Sequence, residues 1–368
     1  MPLNDIARLR LCNQGIARPG FTEAAQVVAW LGAMQAQDYT GALWSVGLRM
    51  AQVTEHTVEQ AIAARTIVRT WPMRGTLHFV TAQDVRWLLA LLTPRQIAQS
   101  AGRYRQLALN DATFARSQAV FAQALQGGKQ LTRAELLQHL EQANIATAGQ
   151  RGYHLLGRAA QDGVICFGVP RGKQQTFVLL DEWVPPTTAL TRAEALTGLA
   201  QRYFTSHGPA TLQDLVRWAG ITVKDARQGI ADAGDALIQA TVADQIYWLP
   251  HHMPDTTAAA SLHLLPGFDE YILGYGDRTA MLDPAYAQRI CPGGNGVFRP
   301  TVVIEGVVAG TWQRTIKTQG KKKGVQLEWT PFQAFTTAEE ALLAVAAQQY
   351  AQFLEMPMNG HEVSRWQT

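Results

Sequence analysis

The most constraining stretch is residues 208–249, GPATLQDLVRWAGITVKDARQGIADAGDALIQATVADQIYWL, because helix starts, a helix stop and a hairpin follow one another without a break. Thr211 can cap a short helix whose apolar positions Leu212, Leu215, Val216 and Ala219 recur at helical spacing. Gly220 ends that helix and supplies the turn, and Thr222 caps a second helix that runs to about Ala233. Residues 237–242 and 245–249 then alternate like two strands joined by Ala243 and Asp244. Helix, turn, helix, hairpin is the order of a winged helix. The same order is legible upstream, where QLTRAELLQHLEQANI gives a helix starting at Thr132 and RGYHLLGRAAQDGVI a second ending near Gly163. Strands over 164–169 and 176–180 flank PRGKQQ, with Arg171 and Lys173 at the tip, the charge placement of a wing near phosphate. A third copy has helices over 23–34 and 57–64 and strands over 67–80. Three degenerate copies predict a tandem array.

Beyond about residue 260 the texture changes to Gly-rich turns between β-branched and aromatic runs, which predicts a small all-β domain closed by a helix over 337–354. The fold class is therefore α+β. The expected units are 1–95, a first winged helix; 96–185, a linker helix and a second; 186–255, a third; 256–355, the β-domain with its helix; and 356–368, a frayed tail.

Hydrophobic residues at 47% and charged residues at 17% describe an ordinary globular chain, and no apolar run approaches the roughly 20 residues that span a bilayer. The start, MPLNDIARLRLC, carries charges inside its apolar stretch and does not read as a secretory signal, so a cytoplasmic, nucleoid-associated location without membrane contact is expected. Cys12, Cys166 and Cys291 are too scattered for a zinc site, and neither metal nor cofactor is expected. No Walker loop, GxSxG elbow or HExxH helix appears, so nucleotide hydrolysis, serine hydrolysis and zinc proteolysis receive little weight. A net charge of +3 permits a polyanionic partner without demonstrating one.

At LGAMQAQDYTGALWSVGLRM, RTWPMRGTLHFV, LPGFDEYILGYGDR and NGVFRPTVVIEGVVAGTWQR the sequence resembles the winged-helix DNA glycosylases of the AlkZ type, in the right order over about 8–355. The resemblance implies three winged helices scaffolded by a β-domain into a C-shaped channel around duplex DNA. It also implies hydrolysis of the N-glycosidic bond of N7-alkylated purines, including bases in interstrand crosslinks. The family's signature of Gln, an apolar residue and Gln falls on Gln35, Ala36 and Gln37.

Two glutamines one residue apart lie about 200° apart on a helix, so a shared site requires an irregular or extended backbone. Because Asp38, Tyr39, Thr40 and Gly41 are turn-formers, the first helix is expected to end around Met34 and to let both amides face the channel. An amide is a poor base, but an N7-alkylated purine is already cationic and leaves readily. The enzyme then needs to hold a water below the anomeric carbon, which oriented amides can do, with Ala36 packed behind them. Asp38 is the rival for that role. In WPMRGTLHF, alternation puts Arg74, Thr76 and His78 on one face, with Arg74 a DNA contact and Thr76 and His78 as supports. Trp71 reads as core or as a stacking surface. Asp269 and Glu270 are adjacent on an expected strand, hence on opposite faces and unsuited to acid and base roles. A salt bridge from one of them to Arg278 or Arg314 is expected instead. Arg103, Arg105, and Lys321, Lys322 and Lys323 at a hairpin tip complete the candidate backbone contacts.

The expected function is a monofunctional, monomeric glycosylase acting on double-stranded DNA with alkylated purines, since no lysine beside Gln35 or Gln37 offers a covalent route. The alternative is a noncatalytic regulator, which would dimerise and prefer one palindrome. A third reading makes the modules protein-interaction units.

Overall fold

The computed structural model describes residues 3–251, 261–319 and 322–363. Around Gly208 the sequence pattern is realised closely. Helices Leu212–Ala219 and Val223–Ala233 are capped by Thr211 and Thr222, whose hydroxyls accept from the Asp214 and Asp225 amides, and Gly220 closes the first at a left-handed φ of 70°. Strands Leu237–Val242 and Gln245–Pro250 follow, and Ala243 and Asp244 both take positive φ, as a twisted two-residue hairpin requires. The middle copy has helices Arg133–Gln142 and Arg151–Gln161 and strands Ile165–Phe167 and Thr176–Leu179, with a Thr132–Glu135 capping box at its start. Helices Val85–Gln99, Ala101–Gln106 and Asp111–Leu125 lead into it.

The first copy departs from expectation. Its opening helix spans Ala24–Leu31 and stops at Gly32, three residues early, so that Met34–Gln35 can pair as a strand with Thr76–Thr81 of the hairpin Ile67–Met73/Thr76–Thr81. The supposed turn over 38–41 instead starts a helix, Tyr39–Gly47, which precedes Glu55–Ala63. Asp38 marked a helix entrance, not a loop. A Cβ on Gly41 would lie 2.6 Å from Oδ2 of the exposed Asp38, which would have to swing aside.

The C-terminal part is a five-stranded sheet in the order Met358–Val363, Lys322–Pro331, Val307–Gln319, Thr301–Ile304, Leu262–Leu265, with helix Thr337–Phe353 packed against it. Residues 358–363 are therefore no frayed tail: they add a parallel edge strand to Lys322–Pro331. The strand expected through Asp269 and Glu270 is a short helix, Glu270–Leu273, because Asp269 caps it by accepting from the Tyr271 amide. The expected ion pair also has another partner. Asp269 pairs with Arg49 at 2.8 Å, both side chains fully buried, while Arg278 donates to the Ile272 carbonyl and Arg314 to Thr40 and Tyr350. Arg49 reaches further to Ser45 and Gln14, so every donor of this buried cation is used.

Helix Leu3–Asn13 is pinned to distant chain: Arg10 donates to the Pro209 carbonyl, Asn13 to Gly208, and Tyr271 OH to the Ala7 carbonyl. Three apolar cores result. One joins this helix to helix Arg192–His207 and the last helix–turn–helix–hairpin unit, one joins the first unit to the sheet, and one sits in the middle unit. The hairpin over 67–81 belongs to all three, giving Val68, Met73 and Val80 to the first, Ile67 and Phe79 to the second, and Trp71 and Leu77 to the third. Each such buried side chain contributes about 1.5–3 kcal/mol. Trp71 is thus core, tilted against Phe167 and stacked on Phe177.

Candidate active site

The hairpin held by three cores is the floor on which Gln35, Ala36 and Gln37 lie. Gln35 sits opposite His78 in the pairing, and the Ala36 amide donates to the Leu77 carbonyl at 2.7 Å. An ordinary ladder would return a bond from the Leu77 amide to the Ala36 carbonyl. Here that carbonyl is taken by Arg69, whose Nε and Nη2 donate to it at 3.0 and 2.7 Å. The Leu77 amide turns instead to the Gln37 side-chain Oε1, at 3.3 Å. Ala36 is fully buried in the second core, while Gln35 before it is half-buried at the end of the two-residue strand and Gln37 after it is exposed in a bend. Gln37 is exposed with its oxygen committed, which leaves its NH2 group as the free end. Gln35 complements it: its Oε1 is buried with no partner. One amide offers a donor and its neighbour an unsatisfied acceptor.

Arg69 holds more than one carbonyl. Its Nη1 donates to Gln175 of the middle unit at 2.8 Å, and its guanidinium lies 4.8 Å from the Phe167 ring and 5.2 Å from Tyr39. Burial lowers its pKa to about 10, which leaves it cationic at neutral pH.

Beneath Gln35 is Glu270, fully buried. Its Oε1 accepts from the Gln35 amide at 2.8 Å and its Oε2 from Trp218 Nε1 at 2.8 Å, with His207 Nε2 at 3.7 Å. Burial alone would raise this carboxyl, but His207, Arg74 and His78 outweigh it and hold it down at about 2. A fixed negative charge therefore underlies the strand that carries the candidate motif. Sequence reasoning set Glu270 aside by treating its segment as a strand; the Asp269 cap followed by Glu270 was the available signal for a helix start.

His78 is buried and both ring nitrogens are engaged. Arg74 Nη2 donates to Nε2 at 3.1 Å, which places the proton on Nδ1, where it is donated to the Thr76 carbonyl at 2.9 Å. Burial and the Arg74 charge push its pKa to about 3, so it is neutral at working pH. Thr76 is half-buried with an unpartnered hydroxyl. Arg74 occupies the hairpin turn with φ 53°, turned inward to donate to the Trp218 carbonyl, so it links the first unit to the third. Asp38 is exposed at the start of helix Tyr39–Gly47 and accepts from Thr40 Oγ1.

The other candidates are dispersed. Arg171 pairs with Glu135 and the Gln130 carbonyl, and Arg103 with Gln106 and Gln150. Lys173, Arg105 and Lys323 are exposed. Lys322 opens its strand and Lys321 lies outside the described residues. No helix among the described residues is long and apolar enough to cross a membrane.

This architecture is shared with a solved protein, the DNA glycosylase AlkZ of Streptomyces sahachiroi. The structures agree with a TM-score of 0.82 over 99% of this chain and 100% of the other at 23% identity, a likeness of fold. The family model described as DNA glycosylase AlkZ-like matches residues 28–353, and the chain belongs to that family. Among curated proteins, it is 28% identical over 315 residues to an interstrand DNA cross-link repair glycosylase of the same organism, covering 79% of this chain and 82% of that protein.

Proposed function

We propose that this protein is a monofunctional DNA glycosylase that hydrolyses the N-glycosidic bond of N7-alkylated purines in duplex DNA and unhooks crosslinked bases, a reading in keeping with a curated relative named an interstrand DNA cross-link repair glycosylase. The reading rests on one observation: Gln35 and Gln37 flank the buried Ala36, one with a buried acceptor that has no partner among the described residues and the other with a free donor. A water seated between them donates to Gln35 Oε1, accepts from Gln37 and keeps a lone pair for the anomeric carbon. The cationic base departs without acid assistance. The buried Glu270 carboxylate contributes a negative potential that favours the oxocarbenium-like sugar. The groups around this strand are amides, a carboxylate, an imidazole and a guanidinium, so water is the nucleophile and the backbone stays uncut. The three helix–turn–helix–hairpin units act as winged helices of a C-shaped monomer, and Lys173, Arg105, Lys323 and their neighbours face the phosphates.

The test is base excision from a duplex containing 7-methylguanine and from one with a bulkier N7 adduct. Gln35→Ala and Gln37→Ala are each expected to lower the single-turnover rate by about 10- to 1000-fold, with duplex affinity retained. Abasic sites at only the spontaneous rate with the parent protein, or unchanged rates in both variants, would sink the proposal.

A further inference from the structure

A concavity lies next to the candidate site, reached through Arg74. It has a volume of about 340 Å³ and is lined by Arg74, Arg95, Gln96, Gln99, Arg217 and Gly220 among others. Three elements build it: the last turns of helix Val85–Gln99, the hairpin turn at Arg74, and the helix–turn–helix corner of the third unit. Its lining contains three guanidinium groups and no carboxylate. Arg74 is occupied with Trp218 and His78. Arg95 and Arg217 are both exposed and make no ion pair among the described residues. The nearby Asp214 is already committed, one oxygen to Thr211 and the other to the Gly276 amide.

The cations also repel one another. Arg217 lowers the pKa of Arg74, after the larger effect of burial, and it lowers that of Arg278 in the same way. The Glu270 carboxylate offsets the charge of Arg74 from the protein side, and an anion bound at the notch would relieve the remaining repulsion between Arg74 and the exposed Arg217. Arginine pairs match a phosphate bidentately, and the Gln96 and Gln99 amides add neutral donors. Position specifies which phosphate. Arg74 bonds His78, and His78 lies directly across the pairing from Gln35.

We infer that this notch seats one phosphodiester group of the DNA backbone beside the nucleotide being processed, with Arg95 and Arg217 as its gripping residues. The inference deepens the glycosylase reading and rests on it for the identity of the polyanion. Seating a phosphate here fixes the register of the sugar against Gln35.

The experiment measures binding of an unmodified duplex by fluorescence anisotropy across a salt series, for the parent protein and for Arg95→Gln/Arg217→Gln. Both residues are exposed, so the double variant should unfold at the parent temperature. The plot of log affinity against log salt is expected to lose about 0.9 of slope per phosphate contact removed, with affinity several-fold weaker at low salt. Inorganic phosphate, titrated calorimetrically, separates the two sources of the anion. A reduced duplex slope supports the inference. Unchanged slope and affinity overturn it, and heat from inorganic phosphate that the variant abolishes while the duplex slope stays intact reassigns the notch to a free anion. Because the duplex carries no lesion, a parent protein that binds DNA yet excises nothing would refute the activity and leave the notch standing.

Discussion

Replacing Arg69 tests how the segment carrying Gln35 and Gln37 is held in shape. Arg69→Met keeps the aliphatic stem but removes both bonds to the Ala36 carbonyl, the bond to Gln175 and the contact with Phe167. Hydrogen bonds to a charged group are each worth about 1.5–3 kcal/mol, and a ring contact adds about 0.5–1 kcal/mol. Part of this returns, because the freed carbonyl can take the Leu77 amide it would bond in a regular ladder. The expected net loss is about 2–4 kcal/mol, read from urea unfolding. That relaxation also evicts Gln37 Oε1 from the Leu77 amide, so the amide loses its fixed orientation. The single-turnover rate on a 7-methylguanine duplex should fall by about 10- to 100-fold with affinity almost unchanged, since positioning is lost and not binding. Arg69→Lys should recover stability better than rate, because one ammonium cannot hold the fork geometry. A variant that loses stability but excises within about twofold of the parent would show that the guanidinium does not aim Gln37.

Two further outcomes are expected. Asp269→Asn strands the Arg49 cation in a site where both side chains are fully buried, and should cost about 3–5 kcal/mol in urea unfolding; a loss below about 1 kcal/mol would contradict that account. Stability should also decline on acidification from about pH 6.5. Burial, with Arg74 and Arg49 respectively, sets His78 to about 3 and His263 to about 4 in the fold, so the unfolded chain takes up these protons first. Each group then loses about 1.4 kcal/mol of stability by pH 5.5, and denaturant midpoints that stay level from pH 7 to 5 would refute this.

The helix–turn–helix–hairpin after Gly208 was legible almost to the residue because Thr211, Thr222 and Gly220 make local signals that tertiary structure did not override. The same held for the helix start at Thr132. The segment carrying Gln35 and Gln37 was only half legible. That Gln35 and Gln37 need an extended backbone followed from helical geometry, but the strand itself is two residues long and exists because a hairpin more than forty positions away supplies its partner. Residues 38–41 failed for a related reason: Asp and Gly serve turns and helix entrances alike, and burial of Gly41 decides between them. Arg69, Glu270 and Arg49 carried no sequence signal of their roles, since each acts through partners far along the chain. Arg74 was correctly placed beside His78, yet alternation could not tell that the arginine turns inward to Trp218.

Helix Leu3–Asn13 has a consequence for how the molecule assembles. The side-chain bonds of Arg10 and Asn13 reach across 195 to 271 positions, so these groups stay unsatisfied until their distant partners have been made. Docking of that helix is then a late, ring-closing event joining the helical units to the sheet. Its removal should loosen the whole body at once, where trimming a loop would fray a single corner.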